Sequence, residues 1–222
     1  MGEAMARSIA PPPGPIRSPR WRYDGHMRHP LRHLRHVLLP ALGLALLWAL
    51  PLRAEVNETL RTRWYEADAR AHPSLGRALS QASPIRVGST VYHGYTRWEV
   101  RWRFWWHTTA DGLCHITRVQ TRAAGEITLP RLRHATAAQR AKFERYLGPL
   151  QAHERGHFEL ARQAAREIDQ GIASLPPMRD CRALEARANA LGHEHLRRAQ
   201  ATERAYDRRT GHGRTQGAWL PD

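Results

Sequence analysis

Between Val87 and the C-terminus the hydrophobic period changes once, at Pro130, and that change dictates a two-layer fold. Ahead of Pro130, Trp98, Val100, Trp102, Phe104 and Trp106 alternate with Glu99, Arg101, Arg103 and Trp105, the period-two pattern of a strand with one buried face. Asp111-Gly112 marks a turn, and Leu113 to Thr121, rich in Ile, Val and Thr, reads as the return strand of a hairpin. Glu126 to Leu129 reads as a third short strand, stopped by Pro130. Trp98, Trp102 and Trp106 share one face and are expected to pack in the core, leaving Trp105 outside as the tryptophan best placed for a ligand.

Beyond Pro130 the pattern is helical. Thr136 is expected to cap a helix through Leu147, and Gly148-Pro149 to kink or restart it. The next helix spans Leu150 to Leu175 and stops at Pro176-Pro177. A third begins near Asp180, carries Cys181, Leu184, Ala188, Leu191, His195, Thr202 and Tyr206 at helical spacing, and ends in Thr210-Gly211-His212-Gly213. The expected architecture is α+β and zincin-like: a small antiparallel sheet of about three strands packed on a helical half.

The N-terminal third reads as an address rather than as fold. The basic stretch 28 to 36 (RHPLRHLRH) runs into an uncharged apolar stretch from Val37 to Leu50. Fourteen residues are too few for a membrane span, which needs about 20, and suit the core of a signal peptide. Residues 27 to 54 are therefore expected to be a signal peptide cleaved after Ala54. The alternative is retention as an inner-membrane anchor through residues 37 to 50, the sole expected contact with a membrane. Residues 1 to 26 form a proline-rich extension, expected to lie upstream of a true start at Met27 and to be disordered. Residues 55 to 86 are expected to be a helical or linker segment, and 87 to 222 the working domain.

Export changes the meaning of the charge. The chain carries 35 Lys plus Arg against 20 Asp plus Glu, a formal +15 that on its own suggests a polyanion binder. Eight Arg and two acids lie before residue 55, so 27 basic and 18 acidic residues remain, a net +9. Since 34 of the 35 basic residues are Arg, codon composition explains the skew as well as phosphate contacts do, and nucleic acid is not an expected partner. An oxidising compartment also permits the only two cysteines, Cys114 and Cys181, to form a disulfide.

The chemistry lies in His153-Glu154-Arg155-Gly156-His157, an HExxH pentad. On a helix, residues four apart share a face, so both imidazoles reach one cation while Glu154 leans over the water beside it. The donor set suits zinc, with Glu154 as general base in peptide hydrolysis. The pentad sits in an apolar stripe of Leu147, Leu150, Leu160, Ala161, Ala164 and Ile168, and burying two neutral His and a Glu there without a task would cost several kcal/mol.

A third ligand is open to several residues. The stretch after the pentad, Leu160-Ala161-Arg162-Gln163, lacks a third His. His193 and His195 stand two apart and point away from each other on a helix, so they cannot share a metal. Glu203 and Asp207 have the ExxxD spacing in which a Glu ligates and an Asp supports a His. His212, flanked by glycines that allow close approach, is the favoured third ligand, with Asp207 its alternative or a support for a ligating His.

The run from Thr96-Arg97-Trp98 through Cys114, Ile127-Thr128-Leu129-Pro130, the HERGH pentad and Cys181 to Tyr206-Asp207-Arg208-Arg209-Thr210-Gly211-His212-Gly213 resembles a bacterial family of secreted zinc-dependent proteases whose activity is itself inferred from HExxH. The resemblance implies that Tyr206, Asp207 and His212 belong to the active site. Tyr206 or Arg208 is then expected to steady the oxyanion, and an extended peptide substrate to add beside Glu126 to Leu129. The competing expectation is a non-catalytic zinc protein of the envelope that binds peptides or anionic surfaces.

Overall fold

A computed structural model describes residues 56 to 221. The signal peptide and the N-terminal extension expected from the sequence lie outside the described residues. The order is strand β1 (Val56–Asp68), helix α1 (Leu75–Ala82), strands β2 (Ile85–Val87), β3 (Thr90–Tyr92), β4 (Tyr95–Thr108) and β5 (Cys114–Arg133), then helices α2 (Ala137–Ala173) and α3 (Cys181–Thr210). A short 3-10 turn, Arg214–Gln216, follows. The class is mixed α and β. Among the described residues no helix is long and apolar enough to cross a membrane.

The main sheet has the order β1-β5-β4, with β4 antiparallel and β1 parallel to β5, so it is mixed rather than antiparallel. Strand β1 corrects the helical reading of residues 55 to 86, which holds only for α1. Its sequence alternates weakly because it lies at the sheet edge, where most of its side chains are exposed and hydrophobic burial leaves no clear period. The expected return strand and third strand are one 20-residue strand, β5. A register shift opposite Trp105/Trp106 re-phases β5, so that Cys114 and Ile116 before it and Val119, Thr121 and Ala123 after it all face the core.

Helix α2 begins in a capping box between Thr136 and Gln139 and runs unbroken past Pro149 for 37 residues. A proline inside a helix costs about 3 kcal/mol, and burial on both sides of it offsets that cost. On its N-terminal side Phe143, Tyr146 and Leu150 pack with Leu75, Leu79, Ile127 and Leu129. On its C-terminal side Phe158, Ala161, Ala165, Ile168 and Ile172 pack with Trp98, Val100, Val119 and Leu184. Gly125 of β5 is the contact that sets the helix height: a Cβ there would come within 2.5 Å of the Phe158 ring.

Helix α3 is tied to the sheet by its tryptophans. The indoles of Trp98, Trp102 and Trp106 donate to Glu203, Asn189 and Glu185 at 2.8, 3.1 and 2.8 Å. Trp98 is fully buried, worth at most about 4 to 6 kcal/mol from its 150–250 Å² of surface. Trp105 faces outward beneath the Arg118 guanidinium, 4.9 Å from its ring. The Cys114–Cys181 disulfide joins the start of β5 to the start of α3, closing a separation of 67 residues.

Candidate metal centre

Helix α2 presents His153, Glu154 and His157 between its two cores, and all three are buried. Helix α3 crosses behind them and contributes Glu203 and Asp207, also buried. The helices approach closely because residue 156 has no side chain; a Cβ there would collide with the Tyr206 hydroxyl.

His153 Nε2, His157 Nε2 and Asp207 Oδ1 form a triangle with sides of 3.2, 3.1 and 3.3 Å. Four ligands around zinc at 2.0–2.1 Å stand about 3.3 Å from one another, so this triangle is one face of such a tetrahedron. Both oxygens of Asp207 are buried and make no hydrogen bond among the described residues, although two imidazole nitrogens are this close to Oδ1. Close approach without hydrogen-bond alignment is what ligands converging on a common point present. These three residues are the group able to hold a metal ion among the described residues.

The imidazoles are held from behind. His153 Nδ1 lies 2.9 Å from Gln216 Oε1, and its ring stacks on Tyr206 at 5.0 Å. His157 Nδ1 faces Glu203 Oε1 at 3.3 Å, and that oxygen accepts the Trp98 indole N–H. The Gln216 contact fixes the His153 tautomer so that Nε2 is its ligating atom, and Glu203 stands within ion-pair reach behind His157. The electrostatics call for positive charge. Burial works against charging His157, but Asp207, Glu203 and Glu154 outweigh it and raise its pKa to about 10. Burial likewise opposes ionisation of Asp207, yet the two histidines hold it well below the usual carboxylate range. A dication serves these carboxylates better than a single proton can.

Asp207, the alternative third ligand of the sequence reading, is the residue that closes the triangle, and His212 stands next to it. Asp207 lies within the last turn of α3 and points at α2, whereas His212 follows the helix in a left-handed turn (φ 54°). His212 Nδ1 is 3.7 Å from Asp207 Oδ1 and, although a third of its side chain is exposed, that nitrogen is buried and makes no hydrogen bond among the described residues. His212 faces a cleft of about 430 Å³ that is also lined by His153, Glu154, His157 and Asp207. Tyr206 and Arg208 do not line it. Tyr206 sits behind His153, its hydroxyl 3.3 Å from the His153 carbonyl and from Gln216 Oε1.

Glu154 is clamped on the cleft side. Thr96 Oγ1 stands 2.7 Å from Glu154 Oε2 and 2.8 Å from the Glu154 carbonyl oxygen, and donates to this pair. A Cβ at Gly94 would come within 2.7 Å of Glu154 Oε1. Burial raises the Glu154 pKa, opposed by His157, Thr96 and His153. The facing wall includes Tyr92, His93 and Tyr95. Tyr92 packs edge-on against His212 at 5.8 Å, and its pKa is raised by burial and then by Asp207.

Sequence reasoning passed over Thr96, Gln216, Gly94 and Tyr92 as site residues. Thr96 carried a signal, being a polar residue at the buried phase of an otherwise apolar strand. The expected substrate strand beside Glu126 to Leu129 is also corrected. Those residues pair with Arg61 to Trp64 on one side, and Glu126 to Thr128 pair with Tyr95 to Arg97 on the other, so no free edge exists there. The segment bordering the cleft is instead Val91 to Thr96. No curated protein and no solved structure matches the chain. The family model described as bacterial protein of unknown function (DUF922) matches residues 62 to 213, from β1 through the turn that carries His212, and the chain belongs to that family.

Proposed function

We propose that the chain is an exported zinc metallopeptidase. The observation that carries this reading is the buried triangle of His153, His157 and Asp207 with the carboxylate of Glu154 in the same cleft. A purely structural zinc site closes its coordination with protein and has no use for a neighbouring carboxylate held ready by Thr96. Bound zinc would supply Lewis acidity toward the scissile carbonyl and would acidify water to a pKa of roughly 7.

The chain's own residues supply the rest. Glu154 takes the proton of the attacking water and delivers it to the leaving amine, and Thr96 and Gly94 fix its carboxylate for both transfers. His212 and Tyr92, facing the cleft beside Asp207, are placed to donate to the oxyanion. An extended peptide would lie along Val91 to Thr96, where backbone and apolar side chains border the cleft. Residues 27 to 54 act as the signal peptide, and the Cys114–Cys181 disulfide suits the oxidising compartment this implies.

The test is metal analysis joined to a peptide-library cleavage assay on the wild type and Glu154→Gln. Stoichiometric zinc in both, with cleavage lowered about 10²- to 10⁴-fold in the variant, is expected. A zinc-loaded wild type that cleaves nothing the variant spares would leave the non-catalytic envelope protein as the reading. Determination of the N-terminus of the exported chain checks cleavage after Ala54.

A further inference from the structure

The sheet face turned away from α2 and α3 is an arginine array. At alternate positions β4 directs Arg97, Arg101 and Arg103 outward, β5 directs Arg118 and Arg122, and β1 directs Arg61 and Arg63; all seven are exposed. Register joins them into one field, with Arg97 and Arg61 on either side of Glu126 and Arg101 directly opposite Arg122. Glu99 and Glu126 are the acids at these outward positions, which leaves an excess of five positive charges on one face. Of the net +9 after residue 54, more than half is therefore gathered here.

Like charges set directly opposite each other on a sheet destabilise it, and Arg101 stands directly opposite Arg122. Glu99 is already engaged by Arg101 at 2.9 Å. Small residues Ala124 and Gly125 floor a trough of about 410 Å³ on this face, bordered by Arg61, Arg97 and Arg122 together with Glu99 and Glu126. Trp105 lies on the same face, under Arg118.

We propose that this face docks the protein onto a membrane surface bearing anionic phosphate headgroups. Same-face residues repeat at roughly 7 Å along a strand and roughly 5 Å between strands, so the guanidiniums spread over a plane rather than along a line. A planar field meets a planar array of headgroups, whereas a nucleic-acid strand is tracked by a row or groove of cations. Guanidinium groups pair with phosphate in bidentate fashion, and three of them border the trough against two carboxylates, so even this most acidic part of the face keeps a positive excess. A tryptophan at such a face sits at headgroup level. None of the seven arginines lines the cleft, so the docking face and the metallopeptidase reading stand or fall separately.

The test is partition of the exported chain, from residue 55 onward, onto vesicles of phosphatidylglycerol mixed with phosphatidylcholine, against phosphatidylcholine alone, at about 0.1 M and about 1 M salt. Wild type is expected to favour the anionic vesicles, and to lose that preference at the higher salt. Arg97→Gln with Arg122→Gln lowers partition to anionic vesicles roughly 20-fold and leaves partition to neutral ones unchanged. Arg97→Lys with Arg122→Lys retains most of the binding, which separates charge from fold. Arg187→Gln with Arg204→Gln, exposed on α3, removes the same net charge and stays within about twofold of wild type. The proposal is overturned if the two Gln pairs fall alike, if wild type binds both vesicle types equally, or if a DNA duplex at equal phosphate concentration competes the protein off the vesicles.

Discussion

The two halves of helix α2 are held by different means. Its C-terminal half is cross-tied: three indoles reach α3, Thr121 Oγ1 donates to the buried Asp169 at 2.9 Å, and a disulfide closes the far end. Its N-terminal half packs over a smaller core on Leu75 and Leu79 of the eight-residue α1 and on Ile127 and Leu129 of β5. His153, Glu154 and His157 fall at the junction. The residues that could hold a metal thus stand beside the cross-tied half, and the facing wall of the cleft, Val91 to Thr96, runs from the short β3 through a turn into the start of β4.

The comparison is broken most severely at the candidate metal site. Asp207→Ala removes one corner of the triangle and is expected to abolish stoichiometric zinc uptake, read by elemental analysis of purified protein. If zinc content stays at one per chain, the triangle is not the metal site. Replacing Cys114 and Cys181 with Ser should lower stability by about 2 to 5 kcal/mol in denaturant melts, chiefly by loosening the cross-tied half.

On the facing wall the expected effect is tied to pH. His93 hydrogen-bonds Ser80 Oγ at 2.9 Å and the Tyr146 hydroxyl at 2.8 Å, and burial lowers its pKa to about 4. An unfolded histidine takes up its proton near pH 6.5, so between about 6.5 and 4 the unfolded chain binds more protons than the folded one. Stability attributable to His93 is complete above that window, declines as pH falls through it by about 3 kcal/mol at most, and is flat below. His93→Gln should flatten that slope; an unchanged slope would show that other groups set it.

The smallest expected effect concerns support of the triangle. Gln216→Ala leaves His153 Nδ1 without its partner and should weaken zinc binding about 10- to 100-fold, measured by chelator competition, with the melting curve almost unmoved. A large loss of stability instead would place Gln216 in the fold of the C-terminal turn rather than in service of the metal site.

Much of this was legible from residue order. Alternation gave β4 and the faces of its tryptophans, because burial on one face of a strand imposes a period of two whatever lies opposite. The four-residue spacing of His153 and His157 brought them to one face of α2, because helix geometry is local. Strand β1 was not legible: an exposed edge strand carries no burial period, and its parallel pairing to β5 depends on contacts some 65 positions away along the chain.

The choice between Asp207 and His212 was beyond sequence for a related reason. Both were singled out, five residues apart at the end of α3, and either could have faced the metal. The crossing of α3 over α2, fixed by Gly156 beneath Tyr206 and by Trp98 reaching Glu203, decided that Asp207 points inward and His212 into the cleft. The chain's basic excess divides in the same way. Sequence alone set its size, since charge is a sum over residues, but only the strand register decided that seven arginines share one plane, because neighbours across a sheet are distant in the chain.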